Sequence, residues 1–195
     1  EMMHSQETTM GLKYLILDMS NILYTFFHKY IREEDDIQIS ACHAGALITM
    51  NSYKKKYDCD EIVPIFDALS WRKLYMKECG ISKKKYKGNR RKNLTDRQKE
   101  QFAIFDEHIN AFYEFLRDNS SLIVLKAHLL ECDDLVAAFI DSHPDDTHIL
   151  ISRDKDFLQL LNNKNLTIVD TVTKKELSLD EWDGNADLFM FEKCF

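Results

Sequence analysis

Short, dense apolar runs alternate along this chain with longer stretches of helical periodicity. Gly11 to Leu17 (GLKYLIL) is one such run, ending on Asp18, and its density reads as a strand buried on both faces. Glu61 to Phe66 (EIVPIF) is a second and ends on Asp67. Ser121 to Lys126 (SLIVLK), Thr147 to Ser152 (THILIS) and Leu166 to Asp170 (LTIVD) continue the series, with Lys175 to Leu179 as a candidate sixth strand. Between them, Ile22 to Ile31 predicts a helix capped by Ser20 or Asn21, followed by the polar linker Arg32 to Asp36. Ala41 to Tyr57 predicts another, with Ala44, Leu47, Ile48 and Tyr53 near one face. Asp96 to Asp118 predicts a long helix whose Phe102, Phe105, Ile109, Phe112, Phe115 and Leu116 form a core-facing stripe. Asp133 to Ile140, and a short piece around Phe157 to Leu161, complete the helices. This alternation predicts an α/β fold with a mainly parallel central sheet flanked by helices.

Length and composition add bounds. A chain of 195 residues, 45% of them apolar, suits one domain with a proper core. Residues 1–10 are polar and lack the apolar stretch of a signal peptide, so they read as a disordered arm or tag remnant ahead of a core over 11–195. No apolar run approaches the roughly 18 residues of a membrane span, and no membrane partner is expected. The five cysteines form no CxxC pair and the histidines no HxxxH, which disfavours zinc and a disulfide framework and points to a reducing, cytoplasmic setting. Charge is unevenly placed. Ser82 to Lys99 holds nine basic residues against Asp96 alone, +8 in a chain of net charge −7, leaving −15 elsewhere. An acidic body with one concentrated basic stretch suits a protein that holds phosphates beside metal-binding carboxylates. A solvated loop is the plain alternative.

The acids share an address. Asp18, Asp67 and Asp154 lie at or just past three predicted strand ends, and Glu131-Cys132-Asp133-Asp134 follows a fourth. Acids opening a helix are favoured by its dipole, which is reason enough for any one of them. In a parallel sheet, however, the carboxyl ends of strands line a common crevice where ligands bind. Several carboxylates there need counter-charge, and without His or Cys motifs the natural partners are hard, oxygen-loving cations, Mg²⁺ or Mn²⁺. Two such ions about 4 Å apart can clamp a phosphodiester for hydrolysis.

The chain resembles the 5′-nuclease family, which comprises flap endonucleases, the 5′-3′ exonuclease domains of bacterial DNA polymerases, and phage 5′ exonucleases including the RNase H of T-even phages. LILDMSN (Leu15 to Asn21), IFDALSWRK (Ile65 to Lys73), YKGNR (Tyr86 to Arg90), ECDDLVA (Glu131 to Ala137) and SRDKDFLQL (Ser152 to Leu160) carry the likeness, in family order over nearly the whole chain. The small size and divergent spacers look like the phage branch, which would place the protein in a host cytoplasm. The resemblance implies a PIN-like catalytic core and removal of 5′ ends, flaps or RNA primers in replication. It implies that Asp18, Asp67, Glu131 and Asp133 hold a first metal ion with Asp134 nearby, and that Asp154 and Asp156 belong to a second. Lys87 would meet the scissile phosphate with Arg72 assisting, and Tyr86 would stack on the adjoining nucleotide. Residues 82–118 would form a helical arch, whose Lys83, Lys84, Lys85, Arg90, Arg91 and Lys92 grip a threaded 5′ strand. The implied partners are DNA and RNA·DNA with a 5′ single strand, and a single-strand-binding protein or sliding clamp; the protein is expected to be a monomer.

The likeness has one gap. Family members continue into a Gly-Asp-x-x-Asp-Asn segment and a helix-hairpin-helix region, and this chain has neither before Phe195. A nucleic-acid-binding module with weak or no cleavage is therefore the alternative reading. An aspartyl phosphatase is disfavoured because Ser20, not an acid, stands two residues after Asp18. A PIN-type single-strand ribonuclease shares the acid layout but has no use for a long basic arch.

Overall fold

The computed structural model describes residues 11–30, 39–79 and 94–194. In chain order these form β1 (Lys13–Asp18), α1 (Met19–Tyr30), α2 (Ile39–Tyr57), β2 (Glu61–Ile65), α3 (Trp71–Cys79), α4 (Asp96–Asn119), α5 (Cys132–Ser142) and β3 (Thr147–Ile151). A 3₁₀ segment (Lys155–Asn162), β4 (Leu166–Val169), a 3₁₀ turn (Asp180–Trp182) and α6 (Ala186–Cys194) follow. The four strands pair in the order β2-β1-β3-β4, all parallel.

Because successive strand residues face opposite ways, the sheet feeds two cores. Leu15, Leu17, Ile149, Ile151 and Val169 pack under α1, α2 and α4, while Tyr14, Ile16, Val63, Ile65, Leu150 and Ile168 pack under α5 and Phe157. On the first side Phe27 of α1 stacks on Phe105 of α4 at 4.2 Å and lies 4.9 Å from Phe102. A smaller cluster of Leu158, Leu179, Ala186 and Phe189 seats α6 against the 3₁₀ segment.

Five expectations need correction. Ser121 to Lys126 is not a strand, although it lies along β2 with parallel hydrogen bonds from Ile123 N to Ile62 O, Leu125 N to Pro64 O and Phe66 N to Leu125 O. The rung between them would come from the amide of residue 64, and Pro64 has none. Lys175 to Leu179 makes a single antiparallel bridge, Glu176 to Val169, rather than a sixth strand. The buried stripe of α2 is Cys42, Ala46, Met50 and Tyr53; Leu47 and Ile48 of the predicted face are exposed, and so is Phe115 on α4. Helix α1 starts at Met19 directly off the strand, so neither Ser20 nor Asn21 caps it. Instead the Asp18 carboxylate accepts the Asn21 N–H at 3.0 Å.

Helix α4 opens on a capping box. The Thr95 hydroxyl accepts from Gln98 N at 3.2 Å, and the Gln98 side chain accepts from Thr95 N at 3.0 Å. Thr95→Ala is expected to cost about 1 kcal/mol in urea denaturation, the usual worth of an N-cap. No helix among the described residues is long and apolar enough to cross a membrane.

Candidate active site

Sheet order reverses between β1 and β3, so their carboxyl ends bound the crevice of an open parallel sheet. Asp18, the last residue of β1, and Ser152, just past β3, meet there, the Ser152 hydroxyl donating to Asp18 Oδ2 at 2.8 Å. The same Ser152 oxygen accepts the Asp154 N–H at 3.1 Å, and Asp154 in turn accepts the Asp156 N–H at 2.9 Å, capping the 3₁₀ segment. Asn21 joins the other side. Its side-chain oxygen accepts from Thr171 Oγ1 at 2.9 Å and from Arg153 N at 3.3 Å, lacing the loops after β3 and β4 to α1.

The amino terminus of α5 forms the facing wall. Asp67, two residues past β2, accepts the Cys132 N–H at 2.7 Å, and Asp134 accepts the Glu131 N–H at 3.0 Å. Carboxylates here are favoured by the unpaired amides and the helix dipole. Glu131 is buried, accepts the Ser70 hydroxyl at 2.7 Å and pairs with Arg72 at 3.1 Å. The Arg72 guanidinium also grips both Asp134 oxygens, at 2.7 and 2.9 Å.

Electrostatics mark Asp18 out. Its carboxyl is pushed up to about 7, chiefly by burial and further by Asp67 and Asp133, against the pull of the Asn21 and Ser152 hydrogen bonds. Burial, and then Asp18, Asp67 and Asp133, hold the Cys132 thiol well above its usual range. Asp133, Asp134 and Asp156 line a cavity of about 480 Å³ together with Arg72 and Lys193, and Lys193 pairs with Asp156 at 2.8 Å.

Asp18 thus lies within electrostatic reach of Asp67 and Asp133, Ser152 links it to Asp154, and Glu131, Asp133, Asp134 and Asp156 line one cavity. Arg72 lies on the carboxylates. Lys83, Lys84, Lys85, Tyr86, Lys87, Arg90, Arg91 and Lys92 lie outside the described residues, as does the basic part of the expected arch before Leu94. Sequence reasoning missed Ser70, Ser152 and Lys193 as partners of these acids. The serines sit inside the quoted motifs, whereas nothing in the sequence marked Lys193.

Among the described residues no three His, Cys, Asp or Glu side chains close on one point as an ion's ligands do. Glu131 and Asp134 face Arg72, and Asp67 faces a backbone amide. The donor set nonetheless suits a hard divalent cation. It is all oxygen, and the buried Asp18 has carboxylates for its charged neighbours, so its ionisation calls for positive charge.

The family model for the 5′-3′ exonuclease N-terminal resolvase-like domain matches residues 13–186. The chain belongs to that family. No curated protein matches it. Among solved structures, the bacteriophage T5 flap endonuclease co-crystallised with metal ions superposes with a TM-score of 0.66 at 21% identity, over 88% of this chain and 60% of that one. A T5 pseudo-enzyme–product complex with DNA and metal ions gives 0.65 at 21% identity, over 87% and 58%. T5 5′-exonuclease with bound zinc gives 0.66 at 21%, over 88% and 60%. The resolvase-like domain here therefore has the PIN-like 5′-nuclease fold, a parallel sheet flanked by helices, and it spans about 60% of the length of these T5 structures.

Proposed function

We propose that this domain is the catalytic part of a divalent-metal-dependent 5′ nuclease, hydrolysing phosphodiesters at the 5′ end or flap of branched DNA, with RNA·DNA as a second substrate. The observation that carries the reading is that acids from four separate stretches of the chain lie near one another: buried Asp18 interacts with Asp67 and Asp133, Ser152 links Asp18 to Asp154, and Glu131, Asp133, Asp134 and Asp156 line one cavity. In this reading Asp18, Asp67, Glu131 and Asp133 hold one Mg²⁺ or Mn²⁺ ion, and Asp154 and Asp156 belong to a second. Such ions supply Lewis acidity and a hydroxide at neutral pH. The chain's own residues position the acids. Ser152 fixes Asp18 against Asp154, Ser70 and Arg72 fix Glu131, and the Cys132 N–H at the start of α5 fixes Asp67. Lys87 and Tyr86 are assigned to the scissile phosphate and its neighbouring base by family likeness alone. Support also comes from the T5 relatives, whose structures were obtained with metal ions and, in one case, with DNA.

The test is a labelled 5′-flap duplex incubated with the protein, with Mg²⁺ or with EDTA. Short products released from the 5′ end only in Mg²⁺ are expected. Tight binding without Mg²⁺-dependent product would instead establish a non-cleaving nucleic-acid module.

A further inference from the structure

Helix α3 carries a feature that the acid crevice does not use. Trp71 and Tyr75, one turn apart, are 43% and 51% exposed, with their rings 6.2 Å apart and edge-to-face. Two large aromatics grouped together and open to solvent form a candidate contact surface. The pair is also held rigidly. Trp71 N donates to Leu129 O at 2.9 Å and Ala68 N to Leu130 O at 3.1 Å, which ties the start of α3 to the loop that delivers Glu131. The residues on either side of Trp71 both reach Glu131, through the Ser70 hydroxyl at 2.7 Å and the Arg72 guanidinium at 3.1 Å. The indole therefore stands on the rim of the carboxylate crevice. The Arg72 guanidinium lies over it, 4.9 Å from the ring centre.

We propose that Trp71, backed by Tyr75, is a stacking platform for one unpaired nucleobase next to the acid site. The inference rests on the nucleic-acid reading above and adds a contact to it. An aromatic face beside guanidinium and ammonium groups is the chemistry that binds single strands, with bases on the rings and phosphates on the cations. Charge matches that occupant. Arg72 is already paired to Glu131 and Asp134, but α3 also carries the exposed Lys73 two residues after Trp71, and in sequence the helix leads into the basic stretch. An apolar protein partner would find that ammonium a desolvation cost; a polyanion finds it attractive.

The chain has two tryptophans, so Trp182→Phe leaves Trp71 as the sole indole reporter. Titration of that protein without added metal, using oligothymidylate, oligouridylate and an abasic oligomer of the same length, reads stacking as fluorescence quenching. Quenching by either base-bearing strand and not by the abasic one is expected, and the strand that quenches identifies the sugar preferred. In binding assays Trp71→Ala should weaken a 5′-overhang duplex by at least about fivefold, with blunt duplex unchanged and Trp71→Phe close to the parent. Tyr75→Ala should produce a smaller loss in the same direction. Equal quenching by the abasic strand, or equal loss on blunt duplex, overturns the platform. Unchanged affinity of Trp71→Ala in a protein that binds overhangs overturns it while leaving the nuclease reading intact. Failure of the parent protein to bind any of these probes overturns both.

Discussion

Asp18→Asn is expected to do two opposite things, abolishing Mg²⁺-dependent hydrolysis and making the metal-free protein more stable. The reason is the burial of this carboxyl, 6% exposed and pushed up to about 7 from an ordinary 3.8. Below pH 3.8 the group is protonated whether the chain is folded or not, and it costs nothing. Between pH 3.8 and about 7 the unfolded chain releases the proton while the folded one retains it, so stability falls as pH rises. Above about 7 the penalty is constant, on the order of 4 kcal/mol from the width of that window. An amide of the same shape keeps an oxygen for the Asn21 N–H and removes the charge. Thermal midpoints should show the variant above the parent at pH 8 and nearly level with it at pH 4, with Mg²⁺ raising only the parent. Asp154→Asn supplies the contrast, because Asp154 is only part-buried; it should lose turnover without the gain in stability. A variant less stable than the parent at pH 8 would mean that the carboxyl is compensated by a group other than a bound cation.

Arg72→Ala should destabilise the fold by about 2–3 kcal/mol in urea denaturation. The guanidinium is part-exposed, 35%, but its partners are less so, 9% for Glu131 and 20% for Asp134. Removing it leaves a buried carboxylate with the Ser70 hydroxyl and without that counter-charge, the situation in which breaking an ion pair costs most. Arg72→Lys should recover less than half of the loss. A single ammonium cannot span both oxygens of Asp134 and reach Glu131 as a planar fork does. Because a divalent cation can replace the missing charge, Mg²⁺ should narrow the gap between variant and parent. Equal midpoints for the alanine variant and the parent would show that the pair adds nothing net.

Much of the site was legible because each acid sits at a place that topology makes special. Apolar runs that end on Asp18 and Asp67 put those residues at the open end of a parallel sheet, and Ser152 follows a third such run. What the sequence did not disclose has local causes. Proline inside EIVPIF gave no sign that it would erase one rung for a neighbour sixty residues away. Along α2 two stripes compete, and the buried one runs through Cys42, Ala46, Met50 and Tyr53 while Leu47 and Ile48 stay exposed; beside it Gly45 leaves room for the Phe26 ring of α1. Helix α6 was overlooked, since Asp187 to Glu192 mixes apolar residues around the whole helix, and the Lys193–Asp156 pair went with it.

Pro64 shifts where the wall of the crevice is anchored. Residues 121–126 border β2 without a continuous ladder and lead to the turn before Glu131, and that turn is fastened instead to the segment after β2, by Ala68 N to Leu130 O and Trp71 N to Leu129 O. The acids that open α5 are thus registered against β2 through its own C-terminal continuation, with Asp67 accepting the Cys132 N–H as the third tie.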